Sequence, residues 1–560
     1  MRNPFEDEKD TTDYRVSRRS AVVLSTLFLL ALTLPPLGDL AYKAATGKLA
    51  TSPLVRLFSY SPTAGTTLHE HLLAVERSLT DLPYAKTIRR HTQFALTAYA
   101  GEGNLKVHPG NNGWLFYRPE LAALNGWGPL KTQPFSVMKD PSLGKLRPAR
   151  ELVLEFAAEL KKRGIPLLLV PLPVKPMLYH EHLLNKTPDE PLRHPDQLAF
   201  YDQLRTAGID VLDLTQPLYD LKKRYPLFLK QDTHWTPEAM KKSAELVASH
   251  IKKTHPTLLP QTETTPRIDA RIHDRAALGD LVTLLDLPHP ETLYQKEPAQ
   301  LVSIAGLDPT PTAPISLLGD SFVNIYTDPT LGFEDPATAT AETKAPMNAG
   351  FASQLALLLG QPLDVIAKNG AGTTATRREF ASRPDDIVRA KKLVVWVIAS
   401  RDLLYSPTAA REANIEWDTV TFNPNTSKPT QATDTPTTTA TTATTEGKVI
   451  VEAELLIKST NQSPDATPYP DALHTALYRV KKVLSGTFDP ETNWQAIQWT
   501  FKKKEMQPTA SFTPGQTYRL TLVPWDTQTA LQTLNRSADK TDEDDFLAER
   551  WFIESAEPVP

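Results

Sequence analysis

From Pro148 onward the chain alternates between two hydrophobic rhythms. Leu152, Leu154, Phe156, Ala157 and Leu160 recur at helical spacing over Pro148 to Arg163, and Gly164 closes that segment. The next stretch, IPLLLVPLP (Ile165 to Pro173), is apolar almost throughout. Such a run marks a strand buried on both faces, as in a parallel sheet. The pair then repeats. A helix over about Pro195 to Ala207 precedes the strand GIDVLDL (Gly208 to Leu214), and a helix over Pro237 to Lys252 precedes the strand PISLLGDS (Pro314 to Ser321). A helix over Gln354 to Leu359 leads into PLDVIA (Pro362 to Ala367), and a mostly helical Arg377 to Ala390 leads into KLVVWVIAS (Lys392 to Ser400). This alternation predicts an α/β domain built on a mostly parallel sheet with flanking helices. Residues 255–313 are rich in Pro and Thr, break the rhythm and read as an insertion or cap.

The flanks follow other patterns. Leu68, Leu72, Leu73, Val75, Leu79 and Leu82 predict helix within residues 60–100, and GNNGWLFY (Gly110 to Tyr117) reads as a turn followed by an aromatic strand. At Phe422 the composition changes to NPNTSKPTQATDTPTTTATTATTEG, a Thr- and Pro-rich stretch that cannot form a core and marks a domain boundary. Beyond it KVIVEAELLI, TALYRVKKVLSG, WQAIQWTFKK and TYRLTLVPW alternate apolar and polar residues between Gly and Pro turns. They predict a small all-β domain, read as an OB-like barrel. The expected divisions are a tail at 1–19, an apolar segment at 20–37, a helical region at 38–104, the α/β domain at 105–422, a linker at 423–446 and the β domain at 447–560.

Near the start, Arg15, Arg18 and Arg19 precede an apolar run from Ala21 to Leu34 that Pro35-Pro36 stops. A membrane span needs roughly 17–25 residues, and counting from Val16 to Leu37 comes close. The segment is read as an uncleaved anchor that keeps the basic end in the cytoplasm. A cleaved signal peptide and a buried helix are the rival readings. The expectation is therefore a single-pass inner-membrane protein with a periplasmic catalytic domain.

Composition narrows the chemistry. A length of 560 residues predicts two or three domains. Sixty-five acidic against 61 basic residues, net charge -4, argue against a general nucleic-acid binder. The chain has no cysteine, which excludes thiol catalysis, disulfides and Cys-ligated zinc.

Two short stretches carry the candidate chemistry. In LLGDSF, Gly319 allows a sharp turn at the carboxyl end of a buried strand, so the Ser321 hydroxyl would face the crevice where open α/β sheets bind ligands. The alternative is that Asp320 and Ser321 simply cap a helix. In QDTHWTPEAM, His234 follows Asp232 by two residues, and Thr236-Pro237-Glu238 is a helix start. A carboxylate at that spacing can hold an imidazole tautomer for general-base work. His180, His182, His255 and His289 have no such neighbour. Asp-x-His offers only two ligands, so no metal and no cofactor are expected.

GDSF and DTHW on an α/β chain resemble the SGNH-hydrolase-like fold of alginate O-acetyltransferases of the AlgJ/AlgX type. GNNGWLFYRPEL (Gly110 to Leu121), VPLPVKPMLY (Val170 to Tyr179) and VVWVIASRDL (Val394 to Leu403) extend the resemblance over about residues 105–405, in the family's order. The resemblance implies a catalytic triad of Asp232, His234 and Ser321 acting in acetyl transfer to an exopolysaccharide. It also implies a multi-pass membrane acyltransferase that supplies the acetyl groups. Ordinary SGNH enzymes complete the oxyanion hole with a Gly and an Asn; Asn369 in KNGAG is the candidate here, with an Asn-Gly turn as its plain reading. Arg401 is a candidate for holding a sugar or a carboxylate, or else a structural ion pair, and Tyr326 is a further substrate-binding candidate. A carbohydrate acetyl-esterase with the same triad, and a carbohydrate-binding scaffold with an idle triad, are the alternative functions.

Overall fold

The computed structural model describes residues 18–559 apart from 50–51, 60–67, 81, 131–146, 185–188, 261–268, 334–347, 407–409, 411–414, 416, 423–447, 465–466, 468, 490–493, 529–530 and 538–548. The predicted linker at 423–446 and most of the predicted tail lie outside the described residues. The chain divides into two compact units: Met1–Ala100 with Asp286–His289, and Gly101–Leu285 with Pro290–Pro560.

The first unit is helical, with helices at Arg18–Ala45, Pro53–Leu57, Leu68–Thr80 and Pro83–Ala95. The expected membrane anchor falls in the first of these, and the structure corrects that expectation. Among the described residues no helix is long and apolar enough to cross a membrane. The 28-residue helix runs straight through Pro35 and Pro36, but its apolar stretch does not continue with it. Beyond Leu37 come Gly38 and an Asp39–Lys43 ion pair at 3.0 Å. Helical length alone does not make a span; the apolar run must match the hydrocarbon thickness. The single-pass inner-membrane placement falls with the anchor.

The second unit holds a five-stranded sheet. Its strands are β1 (Leu167–Leu172), β2 (Asp210–Val211), β3 (Ile315–Gly319), β4 (Asp364–Ala367) and β5 (Leu393–Ala399), in the order β2-β1-β5-β3-β4 and all parallel. Each central strand feeds two cores. Along β5, Leu393, Val395, Val397 and Ala399 enter one cluster with Leu317, Val247 and Leu355, while Val394, Trp396 and Ile398 enter the opposite one with Phe156, Phe200 and Leu318. Side chains alternate faces along a strand, and helices cover both faces. This is why β1 and β5 read as unbroken apolar runs, and why β3 is interrupted only by the buried Ser316, whose hydroxyl donates to Asp364 Oδ2 at 2.7 Å.

Within residues 255–313, expected as an insertion, Asp269–Ala277 and Glu297–Ala305 form an antiparallel hairpin enclosing a short helix at Asp280–Leu284. The C-terminal strands are β6 (Val449–Lys458), β7 (Ala472–Ser485), β8 (Trp494–Lys502), β9 (Thr517–Pro524) and β10 (Glu549–Pro558). β6 pairs with β7, β7 with β8, β8 with β10, β10 with β9, and β9 returns to β6. The ring closes with β8 and β10 parallel. This is a five-stranded closed barrel, as the OB-like reading expected. Register shifts in β6 let the strand bend as the barrel requires.

Candidate active site

Gly319 ends β3, and a Cβ there would sit 2.3 Å from the Val323 side chain, so the turn after the strand can be this tight only with glycine. Asp320 caps the next turn: its carboxylate accepts from the Phe322 amide at 2.9 Å and from the Ala399 amide at the end of β5 at 3.0 Å. The capping alternative therefore holds for Asp320, and Ser321 is left with its hydroxyl at the carboxyl edge of the sheet.

The loop that carries His234 is a narrow hairpin. The Thr236 amide donates to Leu227 O at 3.0 Å and the Leu229 amide to His234 O at 3.2 Å. Trp235 anchors it between Phe322 and Phe351, with ring centroids at 5.4 and 5.6 Å. The Thr236 hydroxyl accepts from the Ala239 amide at 3.1 Å and starts the helix Pro237–Thr254. Both readings of this stretch are thus satisfied at once: Thr236-Pro237 is the helix start, and Asp232 with His234 is free for other work.

These two elements meet. His234 Nδ1 lies 2.7 Å from Asp232 Oδ1, and His234 Nε2 lies 2.8 Å from Ser321 Oγ. The three residues are almost fully buried, at 1–2% exposure. Burial alone pulls the imidazole down, but the charge and hydrogen bond of Asp232 outweigh it and hold His234 above the ordinary 6.5. Burial pushes Asp232 up in turn, and His234 together with two backbone amides brings it below the usual carboxylate range.

Asp232 is itself clasped. Its Oδ1 also accepts from the His234 amide at 2.9 Å, and its Oδ2 accepts from the Asp280 amide at 2.9 Å. Asp280 returns the contact, accepting from the Thr233 amide at 2.7 Å and the Thr233 hydroxyl at 2.5 Å. Burial first, and the neighbouring Asp232 charge second, push Asp280 up to about 6. Gly279 makes the close approach possible, because a Cβ there would lie 2.0 Å from Gln231 O. Among the described residues, Asp232, His234 and Asp280 offer potential metal-ligand atoms within 4.8 Å of one another. With Nδ1 facing Asp232 and Nε2 facing Ser321, the imidazole has no nitrogen left to give a metal.

The other candidates support the site from behind. Arg401 Nη1 donates to the buried Glu120 Oε1 at 2.9 Å, and its guanidinium lies over the Phe322 ring at 5.9 Å. Tyr326, in the left-handed region at φ 71, donates its hydroxyl to Trp235 O at 2.6 Å and so steadies the His234 loop. Asn369 donates its carboxamide N–H to Asp328 Oδ2 at 2.8 Å and accepts from Asn324 at 2.8 Å. Lys175 of the VPLPVK segment is buried; its ammonium donates to Leu115 O at 2.8 Å and Lys230 O at 3.0 Å, tying the GWLF strand to the QDTHW loop. Burial lowers Lys175 to about 8.

Two residues at the site carry no signal in the sequence. Asp280 lies in the Pro- and Thr-rich region that has no periodic pattern. Tyr469 belongs to the β6–β7 loop of the barrel and donates its hydroxyl to Ser321 Oγ at 2.8 Å.

A serine, a histidine and a carboxylate thus stand in hydrogen-bonded sequence at the carboxyl edge of a parallel sheet. The model of one protein family, described as the SGNH hydrolase-like domain of acetyltransferase AlgX, matches residues 107–400, and the chain belongs to this family of SGNH-type O-acetyltransferases. It is 28% identical over 331 residues to the probable alginate O-acetylase AlgJ of Pseudomonas aeruginosa, covering 57% of this chain and 75% of that one. It is 35% identical over 98 residues to the alginate biosynthesis protein AlgX of the same organism, 17% of this chain and 20% of that one. Among solved structures it is similar to the O-acetyltransferase domain of Pseudomonas putida AlgJ, with 22% identity, a TM-score of 0.39, and coverage of 57% of this chain and 95% of that one.

Proposed function

We propose that the chain transfers acetyl groups to hydroxyls of an alginate-like exopolysaccharide through Asp232, His234 and Ser321. The observation that carries this reading is the continuous path Asp232–His234–Ser321, with links of 2.7 and 2.8 Å. Names of the relatives supply the substrate class. In the first half-reaction Ser321 Oγ attacks the acetyl carbonyl carbon while its proton passes to His234 Nε2. The tetrahedral intermediate collapses, the donor's oxygen leaves with that proton, and acetyl-Ser321 remains. In the second half, His234 takes the proton of a sugar hydroxyl, whose oxygen attacks the acetyl carbon; Ser321 leaves and is reprotonated. Asp232 holds the Nδ1–H tautomer and stabilises the imidazolium formed in each half. The acetyl donor in this reading is the multi-pass membrane acyltransferase implied by the family resemblance. Asn369, through Asp328 and Asn324, and Arg401, through Glu120, act here as positioning residues, as does Tyr326 through Trp235.

The test is turnover of a chromogenic acetyl ester by the purified chain, with and without oligouronate. Acetylated oligouronate supports transfer. Free acetate alone, unchanged by the acceptor, makes the protein an esterase. No turnover in either condition leaves a carbohydrate-binding scaffold.

A further inference from the structure

The barrel meets the catalytic domain with the same two loops by which OB folds bind oligonucleotides and oligosaccharides, the one between the first two strands and the one between the last two. Here these are the β6–β7 loop with Tyr469 and the β9–β10 loop with Gln532 and Thr533. Thr533 O accepts from the Asn369 amide at 3.0 Å and its hydroxyl donates to Asp328 Oδ2 at 2.9 Å, while Lys368 donates its ammonium to Gln532 O. The Tyr469 ring lies on Gly370, where a Cβ would stand 2.3 Å from the ring. Its loop is fixed to the barrel by the Lys504 amide, which donates to Pro470 O at 2.8 Å. Ser321 is 1% exposed and Tyr469 is 8% exposed.

We infer that the β-barrel domain is an autoinhibitory lid, with Tyr469 as the plug that must leave Ser321 before acetyl donor or saccharide reaches it. Two consequences of the geometry argue for occlusion. The phenol hydrogen bond occupies a lone pair of the Oγ that must attack, which weakens the nucleophile. The ring fills the approach to a side chain that has almost no exposed surface. Burial raises the phenol above its usual range, so it stays a neutral donor and holds the closed contact across the working pH. The lid also keeps water from the serine until a substrate displaces it.

This inference deepens the acyl-transfer reading and rests on it for its purpose. Its test does not require the chemistry. The chain has no cysteine, so Ser321→Cys gives a full-length protein with a single thiol at the site, and its rate of alkylation by iodoacetamide reads access. His234 and Asp232 are unchanged throughout, so ratios between variants report the lid. Ser321→Cys should react slowly when folded and fast when denatured. An open form is typically populated at about 0.1–10%, so adding Tyr469→Ala should speed folded labelling about 10-fold or more. Gly370→Ala approaches from the catalytic side: its Cβ collides with the ring, so it too should speed labelling. Tyr469→Phe keeps the ring and should stay slow. Folded Ser321→Cys reacting at the denatured rate, or equal rates with and without both opening substitutions, would overturn the lid. Ester turnover by the Tyr469→Ala chain, with Ser321 intact and the plug removed, reads the triad separately, so the two ideas can fail independently.

Discussion

Asp232→Asn separates the catalytic from the structural work of one carboxylate, and the structure sets its size. Asp232 accepts three N–H groups: His234 Nδ1–H at 2.7 Å and the His234 amide at 2.9 Å on one oxygen, and the Asp280 amide at 2.9 Å on the other. Asparagine has one oxygen and one NH2, so either rotamer sets a donor against a donor. With NH2 toward Asp280, a buried backbone amide loses its acceptor. With NH2 toward His234, the His234 amide loses its acceptor and the ring is driven to the other tautomer; Nε2 then carries the proton and cannot accept one from Ser321. The wrong tautomer costs about 10⁴ in turnover, roughly 5.5 kcal/mol of transition-state stabilisation. A buried amide left unpaired costs about 1–3 kcal/mol of stability. The Asp280 clasp makes a measurable loss of stability the expectation. The assay is kcat/KM on a chromogenic acetyl ester beside urea denaturation of the same samples. Turnover within about 10-fold of the parent would refute the orienting role, since either rotamer removes the charge that stabilises the imidazolium and one of them also inverts the tautomer. Unchanged stability would refute the clasp.

Ser321→Ala and His234→Ala should each remove nearly all the turnover that the pair provides, and the double variant should be little worse than either, because the residues act as one unit; additive losses measured on the same ester would contradict this. The rate should rise with pH through an ionisation above 6.5, since Asp232 holds His234 above that value and only the neutral imidazole accepts a proton. The His234–Asp232 contribution to stability has the opposite slope there: it is full between the unfolded carboxylate and unfolded histidine values, is lost as pH rises through the folded histidine value, and is lost at the acid end as pH falls through the folded Asp232 value. A pH–rate profile whose acidic limb falls well below 6.5 would remove His234 as the base. Arg401→Ala leaves Glu120, at 0% exposure, without its cation. It should lower stability by about 3–5 kcal/mol, less to the extent that Glu120, pushed up to about 7 mainly by burial, takes a proton; unchanged denaturation with a selectively raised KM for oligouronate would instead make Arg401 a sugar contact.

What the sequence reveals follows from which signals are local. β1, β3 and β5 are readable because both faces of each are buried, so the apolar run is continuous in β1 and β5 and broken only by Ser316 in β3. The pattern of Gly208 to Leu214 predicts a full strand, but β2 lies at the sheet edge, and its contact with β1 is limited to Asp210, Val211 and one further bond from the Leu212 amide to Leu169 O at 2.9 Å. Asp232 with His234, and Gly319-Asp320-Ser321, carry their chemistry within a few residues and stand out. Asp280 is 48 residues from Asp232 and Tyr469 is 148 residues from Ser321, and neither sits in a patterned segment; only the folded chain brings them to the site. Arg401 reads either as a contact for sugar or carboxylate or as half of a structural ion pair, and its partner Glu120, 281 residues away, cannot be named from the sequence. The anchor fails for a physical reason: a long helix can follow a short apolar run.

The central claim is an acetyl group carried on Ser321, and peptide mass spectrometry of the chain after brief exposure to a chromogenic acetyl ester tests it most directly. An acetyl adduct is expected on the peptide containing Ser321, absent in Ser321→Ala, and lost on adding oligouronate as acetylated oligouronate appears. Acetylated oligouronate formed at equal rates by the parent chain and Ser321→Ala, with no adduct at residue 321, would contradict it.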